Sequence, residues 1–347
     1  MAETVPIGDN TLLKDAIPIR KIGRLERFLG PENYRILTGL LKTPASITGF
    51  VLIALFIFIA LAAPVLAPPR TGGGDPYMIP RDGYASKPVP PGTAWTRQTT
   101  PVPFWYKAIT GKDKLIHILG TSEGQYDIYY GIIWGTRTAF KTGLVVTFAT
   151  FLIGIIYGSI SAYYGGVVDN VMMRIVDVLL ILPGILAALI LAAVLVPKIG
   201  ASVLPTMIAL ITFGWMGYSR IIRGDILSIK ERDYIMAARV IGVKDGRILL
   251  RHILPNAIFP TLVLASLAIG DVVLSFAALS FLGIGTQVGY ADWGQVLSFA
   301  RNWITSLNTY WYIIVYPGMT LVFFVMGWNL VGDALRDVLD PRMRGKT

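Results

Sequence analysis

Six stretches of the chain stay apolar long enough to cross a bilayer, whose ~30 Å hydrocarbon core takes ~20 residues of helix. They run from Ile47 to Ala67, about Thr142 to Tyr163, Ile175 to Val196, Ile199 to Tyr218, about Leu254 to Phe281, and Tyr312 to Val331. Pro68-Pro69 ends the first run. Pro183-Gly184 lies inside the third, and Pro205, Pro260 and Pro317-Gly318 interrupt the last three. In lipid such breaks persist only where neighbours re-satisfy the backbone, so they predict a packed helical bundle lining a cavity.

The polar segments predict the orientation. Residues 219–253 carry Arg220, Arg223, Lys230, Arg232, Arg239, Lys244, Arg247 and Arg251, and the tail adds Arg336, Arg342, Arg344 and Lys346. The stretch from Gly283 to Trp311 has one base, Arg301. Lys and Arg accumulate on the cytoplasmic side of short loops, which predicts both termini and the 219–253 loop in the cytoplasm. Trp293, Trp303 and Trp311 then fit an aromatic belt at the outer interface. The expected divisions are a cytoplasmic leader (1–46), the first membrane helix (47–67), an extracytoplasmic loop (68–137), a five-helix core (138–333) and a cytoplasmic tail (334–347). The leader is long and polar, with Lys14, Arg20, Lys21, Arg24, Arg27, Arg35 and Lys42, so the first apolar run reads as a retained anchor, not a cleavable signal. A loop as long as 68–137, rich in Pro and Gly, is either a partner-facing cap or a solvated insertion.

Composition agrees. Only 15% of the 347 residues are charged and 54% are hydrophobic, where a soluble domain carries about a quarter charged residues. The net charge of +10 follows the predicted topology, so it is no nucleic-acid footprint. The absence of cysteine excludes disulfides, thiolate metal sites and cysteine nucleophiles. With two histidines, His117 and His252, the chain has too few for a histidine-based metal centre. The terminal Gly345-Lys346-Thr347 imitates the end of a phosphate-binding loop, but Asp340 stands where its first glycine belongs.

Within 219–253 the spacing is specific. Asp233 to Ile241 is helix-compatible, with Ala237 and Ala238 at its middle, and Gly242 stands where a left-handed C-cap is expected. Asp245 is the expected N-cap of a second short helix through Arg251, and Pro255 opens the fifth membrane helix. Helix, tight turn, helix and re-entry make a knob that a cytosolic partner can grip.

Ala237-Ala238, then Gly242, then His252-Ile253-Leu254-Pro255-Asn256 resembles the EAA loop of binding-protein-dependent ABC importer permeases, with Met236 where the family usually has Glu. Arg251 to Asn256 (RHILPN) is similar to the dipeptide/oligopeptide/nickel branch, and Leu41 to Ala67 to its C-type dipeptide permease. Further similar segments are His117 to Thr121 with Gly124, Asp127 and Gly135 to Arg137; Tyr163 to Gly166; Met173 to Asp177; Leu182 to Gly184; Leu279 to Gly285; and Asn329 to Asp333 through Arg342.

The resemblance implies an all-α membrane protein of six transmembrane helices, with the type I importer permease (MetI-like) fold and a long extracytoplasmic loop after the first helix. It implies a multi-pass subunit of a prokaryotic plasma (inner) membrane that forms, with a homologous permease, a path for di- or oligopeptides. A solute-binding protein delivers the cargo, and two ATPase subunits bind the ATP and Mg, leaving this chain without cofactor or catalytic residue. Nickel chelates, glutathione and oligosaccharides are alternative cargoes. Tyr234, Ala237, Ala238, Arg239, Gly242, Asp245, Arg251, His252, Leu254 and Pro255 are the expected coupling residues, with Ala238 required to be small at the ATPase contact. Asp271, an acid deep in the fifth run, is expected either on the translocation path or bonded to a neighbouring helix or the partner permease. An ion-coupled secondary transporter needs more intramembrane acids than this one. An enzyme would need a nucleophile beside His117 and Asp127, and turn or capping hydrogen bonds suit that pair better.

Overall fold

Four of the six apolar runs become single long helices, and two are broken. The computed structural model describes residues 38–41 and 43–339, with Arg27 and Gly30; most of the expected leader, Lys42, and the tail from residue 340 on, including Arg342, Arg344 and Lys346, lie outside the described residues. Helix α1 spans Pro44–Leu66. The Thr43 hydroxyl caps it by accepting the Ser46 amide at 3.2 Å, and Pro44 sits in its first turn, where a missing N–H costs nothing. At ~1.5 Å per residue its 23 residues are long enough to cross a hydrocarbon core.

The segment after α1 is folded. Antiparallel bridges pair Ala94 with Ile116, Arg81 with Tyr126 and Met78 with Tyr290, and a short helix α2 spans Phe104–Thr110. Ile79, Trp95, Tyr106, Leu115 and Tyr126 pack with Tyr130 and Trp134 into a common core over the end of α1. This segment forms a cap on the bundle.

Helix α3 spans Ile128–Tyr164. It therefore starts ten or more residues before the apolar run at Thr142 and inside the loop expected to reach 137. Asp127 accepts the Tyr130 amide at 3.0 Å and fixes this earlier start. The extra turns pack against the cap, so bilayer-length hydropathy does not mark them.

The third expected span, Ile175 to Val196, is two helices: α4 (Gly166–Leu180) and α5 (Gly184–Ile199), bent by 83°. Pro183 lacks an N–H and disfavours helical geometry at Leu182; its carbonyl instead receives the Leu186 and Ala187 amides that start α5. The fourth, Ile199 to Tyr218, is α6 (Val203–Gly214) followed across Trp215 by α7 (Met216–Lys230). Arg220 and Arg223 thus belong to a helix, not a loop. Arg223 is bidentate on Asp169 of α4, with Nε at 2.6 Å, and Arg220 pairs with Asp177.

Helices α8 (Asp233–Val240) and α9 (Asp245–Ile248) follow, then a π-helical turn over Leu249–Ile253, then α10 (Leu254–Phe281). From Asp245 to Phe281 the chain is one 37-residue helical run, so the fifth span does not begin afresh at Pro255. Helix α11 (Trp293–Ser298), a 3-10 turn and α12 (Leu307–Tyr310) lead to α13 (Tyr312–Leu339). Among the described residues α1, α3, the α9–α10 run and α13 are each long and apolar enough to cross a membrane, and α4–α5 is a fifth candidate if counted as one bent span.

Helix α3 lies along α7 and α10, α10 along α13, and α13 along α1. The α3–α7 contact is close because Gly158 has no side chain: a β-carbon there would collide with the Ser219 carbonyl oxygen. Trp293 is no belt residue. It is 2% exposed, donates Nε1–H to the Ile132 carbonyl at 3.1 Å and packs on Phe56 and Phe324. The Asp292 cap, which accepts the Gly294 amide, turns α11 into the bundle and takes Trp293 with it. Trp311 remains exposed and Trp303 half-buried.

Candidate functional site

At the end of the bundle opposite the cap, α8 and α9 form a knob. Ile235, Ile248 and Ile253 are fully buried in it, against Ile222 and Ile226 of α7 and Ala162 and Tyr163 of α3. Each buried isoleucine contributes about 1.5–3 kcal/mol, which fastens two helices too short to stand alone.

The turn between α8 and α9 is a Schellman motif. Gly242 has φ +79°, its amide bonds the Arg239 carbonyl at 3.0 Å, and the Val243 amide reaches the Ala238 carbonyl at 3.1 Å. A side chain at Gly242 would be strained in this left-handed conformation.

Asp245 does not cap α9: it is the first helical residue and caps nothing with its side chain. Its carboxylate instead accepts the Tyr163 hydroxyl at 2.5 Å. Arg239 lies 5.9 Å from the Tyr163 ring centre. Lys230 donates to the terminal carbonyls of α3, Tyr163 at 2.6 Å and Ala162 at 3.3 Å, which the helix itself leaves without partners. Tyr163 thus tethers the knob, and Lys230 ties the end of α7, just before α8, to α3. The Tyr163 to Gly166 motif includes the first; its pairing with Asp245 had no local signal.

The expected coupling residues divide by face. Tyr234, Ala237, Arg239 and Arg251 are exposed, together with Val240 and Ile241, which are 87% and 78% exposed. Ala238 is half-buried against the knob's own core, so its small size serves internal packing while Ala237 faces outward. Leu254 packs on the same core. His252 is half-buried, and its carbonyl accepts the Asn256 side-chain Nδ2–H at 2.7 Å. Pro255 occupies the first turn of α10. Exposed on the same segment as Ala237, Val240 and Ile241 are the bases Arg232, Arg239, Lys244, Arg247 and Arg251 and the acids Glu231, Asp233 and Asp245.

Farther along α10, Asp271 lines a cavity of about 280 Å³ between α3, α6, α7 and α10, with Thr150, Leu210, Tyr218, Leu264 and Ser275. Asp271 is exposed to it, and no residue among those described forms an ion pair or hydrogen bond with its carboxylate. A bond to a neighbouring helix of this chain is therefore not made here. An unpaired carboxylate in an apolar wall attracts a cation.

In the cap, His117 is fully buried between two carboxylates, Nδ1 at 2.7 Å from Asp127 and Nε2 at 3.3 Å from Asp82, with Trp95 stacked on its ring at 4.4 Å. Asp82 also accepts the Thr96 amide at 2.8 Å and the Arg97 amide. Burial pushes the Asp82 carboxyl up, but the Arg97 and Thr96 amides and His117 outweigh it and hold the group below its ordinary value. The cluster braces the cap onto the start of α3.

Residues 118–345 match the family model described as "Binding-protein-dependent transport system inner membrane component". The chain is 34% identical over 228 residues to the dipeptide transport system permease protein DppC of Alkalihalophilus pseudofirmus, covering 66% of this chain and 73% of that one. It is 36% identical over 228 residues to the oligopeptide transport system permease protein OppC of Bacillus subtilis, covering 66% and 72%. To the glutathione transport system permease protein GsiD of Pectobacterium atrosepticum it is 34% identical over 241 residues, covering 70% and 78%. Among solved structures, an inward-facing MetNI methionine ABC transporter aligns over 60% of this chain and 96% of that one, with a TM-score of 0.49 and 19% identity.

Proposed function

The chain belongs to the family of binding-protein-dependent transport system inner membrane components, and from that premise we propose that it moves peptides, driven through its α8–α9 knob by cytosolic ATPase subunits. It is a permease component of a binding-protein-dependent ABC transporter, a multi-pass inner-membrane protein and not a catalyst. Family membership brings ATPase and binding-protein partners with it. Peptide is the cargo favoured by the likeness to the dipeptide and oligopeptide permeases; glutathione, itself a small peptide, is the cargo in the name of another relative.

The observation that carries the coupling role is the exposed patch of Ala237, Val240 and Ile241 on a tethered knob. Val240 and Ile241, 87% and 78% exposed, gain burial if a cytosolic subunit covers them. The knob is continuous with α10 through the π-helical turn, so displacing it moves a lever of about 55 Å by helix geometry. That lever carries Asp271 and one wall of the cavity. A movement at the ATPase thus becomes a change of cavity shape without any unfolding.

In this reading the chain crosses the membrane six times: by the four long helices, by the bent α4–α5 pair, and by α6 running into α7. Knob and termini are cytoplasmic, the cap and the Gly283–Trp311 stretch outside. A second, homologous permease faces Asp271 across the path. Because the chain has no cysteine, Val240→Cys supplies a unique thiol. Carrying a photoactivatable crosslinker, it should join to the ATPase subunit, and it should resist an impermeant maleimide added outside cells that labels Lys87→Cys. Labelling of Val240→Cys from outside would refute the assignment.

A further inference from the structure

Helix α2 carries apolar side chains that the described residues leave largely exposed. By helix geometry Phe104, Ala108, Trp105 and Ile109 fall within an arc of about 140°, while Tyr106 points into the cap and Lys107 away from the arc. Phe104 is 72% and Ile109 78% exposed, in a chain segment where polar residues would be expected to face water. Tyr106 is buried in the cap core, so the helix is firmly held with its apolar side outward.

Its location identifies what covers that side. The C-terminal carbonyls of α1 lack partners within the helix. Leu66 instead receives Trp105 Nε1–H at 3.1 Å and the Tyr129 hydroxyl at 3.1 Å, and Ala67 receives Trp134 Nε1–H at 2.8 Å. Trp105 is thus bonded to the end of a membrane-spanning helix, at the level where Trp and Tyr gather at a bilayer surface. Below it, α1 presents Phe58, Leu61 and Val65, all exposed, as an apolar flank along its length. Trp105 holds α2 at the end of that flank through its bond to Leu66. Lys107, Lys112 and Lys114 stand against the single acid Asp113 over the same stretch, and Lys107 holds Asp113 at 2.7 Å. An apolar arc with basic residues beside it is the pattern of a helix lying in a membrane interface.

We infer that α2 is an interfacial anchor: it lies on the lipid beside the end of α1, with Phe104, Ala108 and Ile109 at the acyl-chain boundary and the lysines among headgroup phosphates. The anchor fixes the cap's height over the bundle, since cap core and lipid then hold opposite sides of one helix. The occupant is a lipid surface, and this assignment stands whatever the cargo.

The test uses the full-length chain in its assembled transporter, in lipid nanodiscs containing anionic phospholipid. Phe104→Cys, Ile109→Cys and Lys107→Cys each place a single nitroxide label, the only thiol in this chain, with partner subunits made cysteine-free. Collision rates are then measured with oxygen, which concentrates in lipid, and with a water-soluble nickel chelate. The oxygen-to-nickel ratio should be severalfold higher at 104 and 109 than at 107. Equal ratios at all three positions would mean that α2 stands in water and would overturn the inference. Immobilised labels at 104 and 109, shielded from both reagents, would mean that a protein partner covers the arc and would overturn it equally.

Discussion

Tyr163, next to the last residue of α3, donates its hydroxyl to the carboxylate of Asp245, the first residue of α9, over 2.5 Å. The bond spans 82 positions of sequence and, beside Arg239 over the same ring, ties the knob directly to the helix beneath it. Hydrogen bonds to charged groups contribute about 1.5–3 kcal/mol when buried, and this half-exposed one contributes about 1 kcal/mol. Tyr163→Phe should therefore leave the bundle intact and loosen the knob. Hydrogen exchange of the 233–248 amides should quicken about fivefold, with no change in α10. Unaltered exchange would show that the isoleucine core alone holds the knob.

Asp82 makes the cap sensitive to acid. Its carboxyl titrates below the ordinary value of 3.8 because, against the upward push of burial, the Arg97 and Thr96 amides and His117 favour the charged form. A depressed native value means that its contribution is complete above the unfolded value and is lost as pH falls through the native one. Protection of the Thr96 and Arg97 amides should decline as pH drops below about 4, and Asp82→Asn should remove that decline while lowering protection at neutral pH. A wild-type cap whose protection is flat from neutral pH through this range would contradict the account.

Asp271 faces the cavity with no hydrogen-bond or ion-pair partner among the described residues. A carboxylate at mid-membrane costs about 2.5–3.5 kcal/mol on insertion scales, and Asn keeps its shape without its charge. Asp271→Asn should assemble in wild-type yield, and uptake should fall severalfold for peptides with extra cationic side chains and less for neutral ones. Loss of complex yield would instead assign Asp271 to contact with the partner permease.

The sequence carried the fold where structure follows composition over one helix length, and lost it where distant residues decide. The runs at Ile47, Leu254 and Tyr312 lie within a few residues of α1, α10 and α13 because hydropathy and caps act locally. The same averaging spanned Pro183 and joined α4 to α5, although the proline that bends them by 83° was visible. Trp293 read as an interface residue by its type and place, yet Asp292 turns it inward onto Phe56 and Phe324. The cap had no local signature because its bridges join Met78 to Tyr290 and Arg81 to Tyr126. Within the knob the Ala237 to Pro255 spacing marked the site and Gly242 its turn. Which alanine faces outward depends on Ile235 and Ile248 being buried, and Asp245 looked like a cap because its true partner is Tyr163.

The division between Ala237 and Ala238 gives the most direct measurement. Ala237 is exposed on the outer face of the knob, and Ala238 is half-buried against its core. Ala237→Arg leaves the knob's core untouched and places an unpaired charge in the proposed contact with the ATPase, a penalty of about 3–5 kcal/mol if that contact is dry. The assembled transporter, reconstituted with its binding protein, is assayed for substrate-stimulated ATP hydrolysis and for uptake. The account predicts normal insertion of Ala237→Arg with both activities reduced at least tenfold, and unchanged hydrogen exchange within the knob. Wild-type stimulation and uptake by Ala237→Arg in the assembled complex would contradict the claim that this knob couples the permease to ATP.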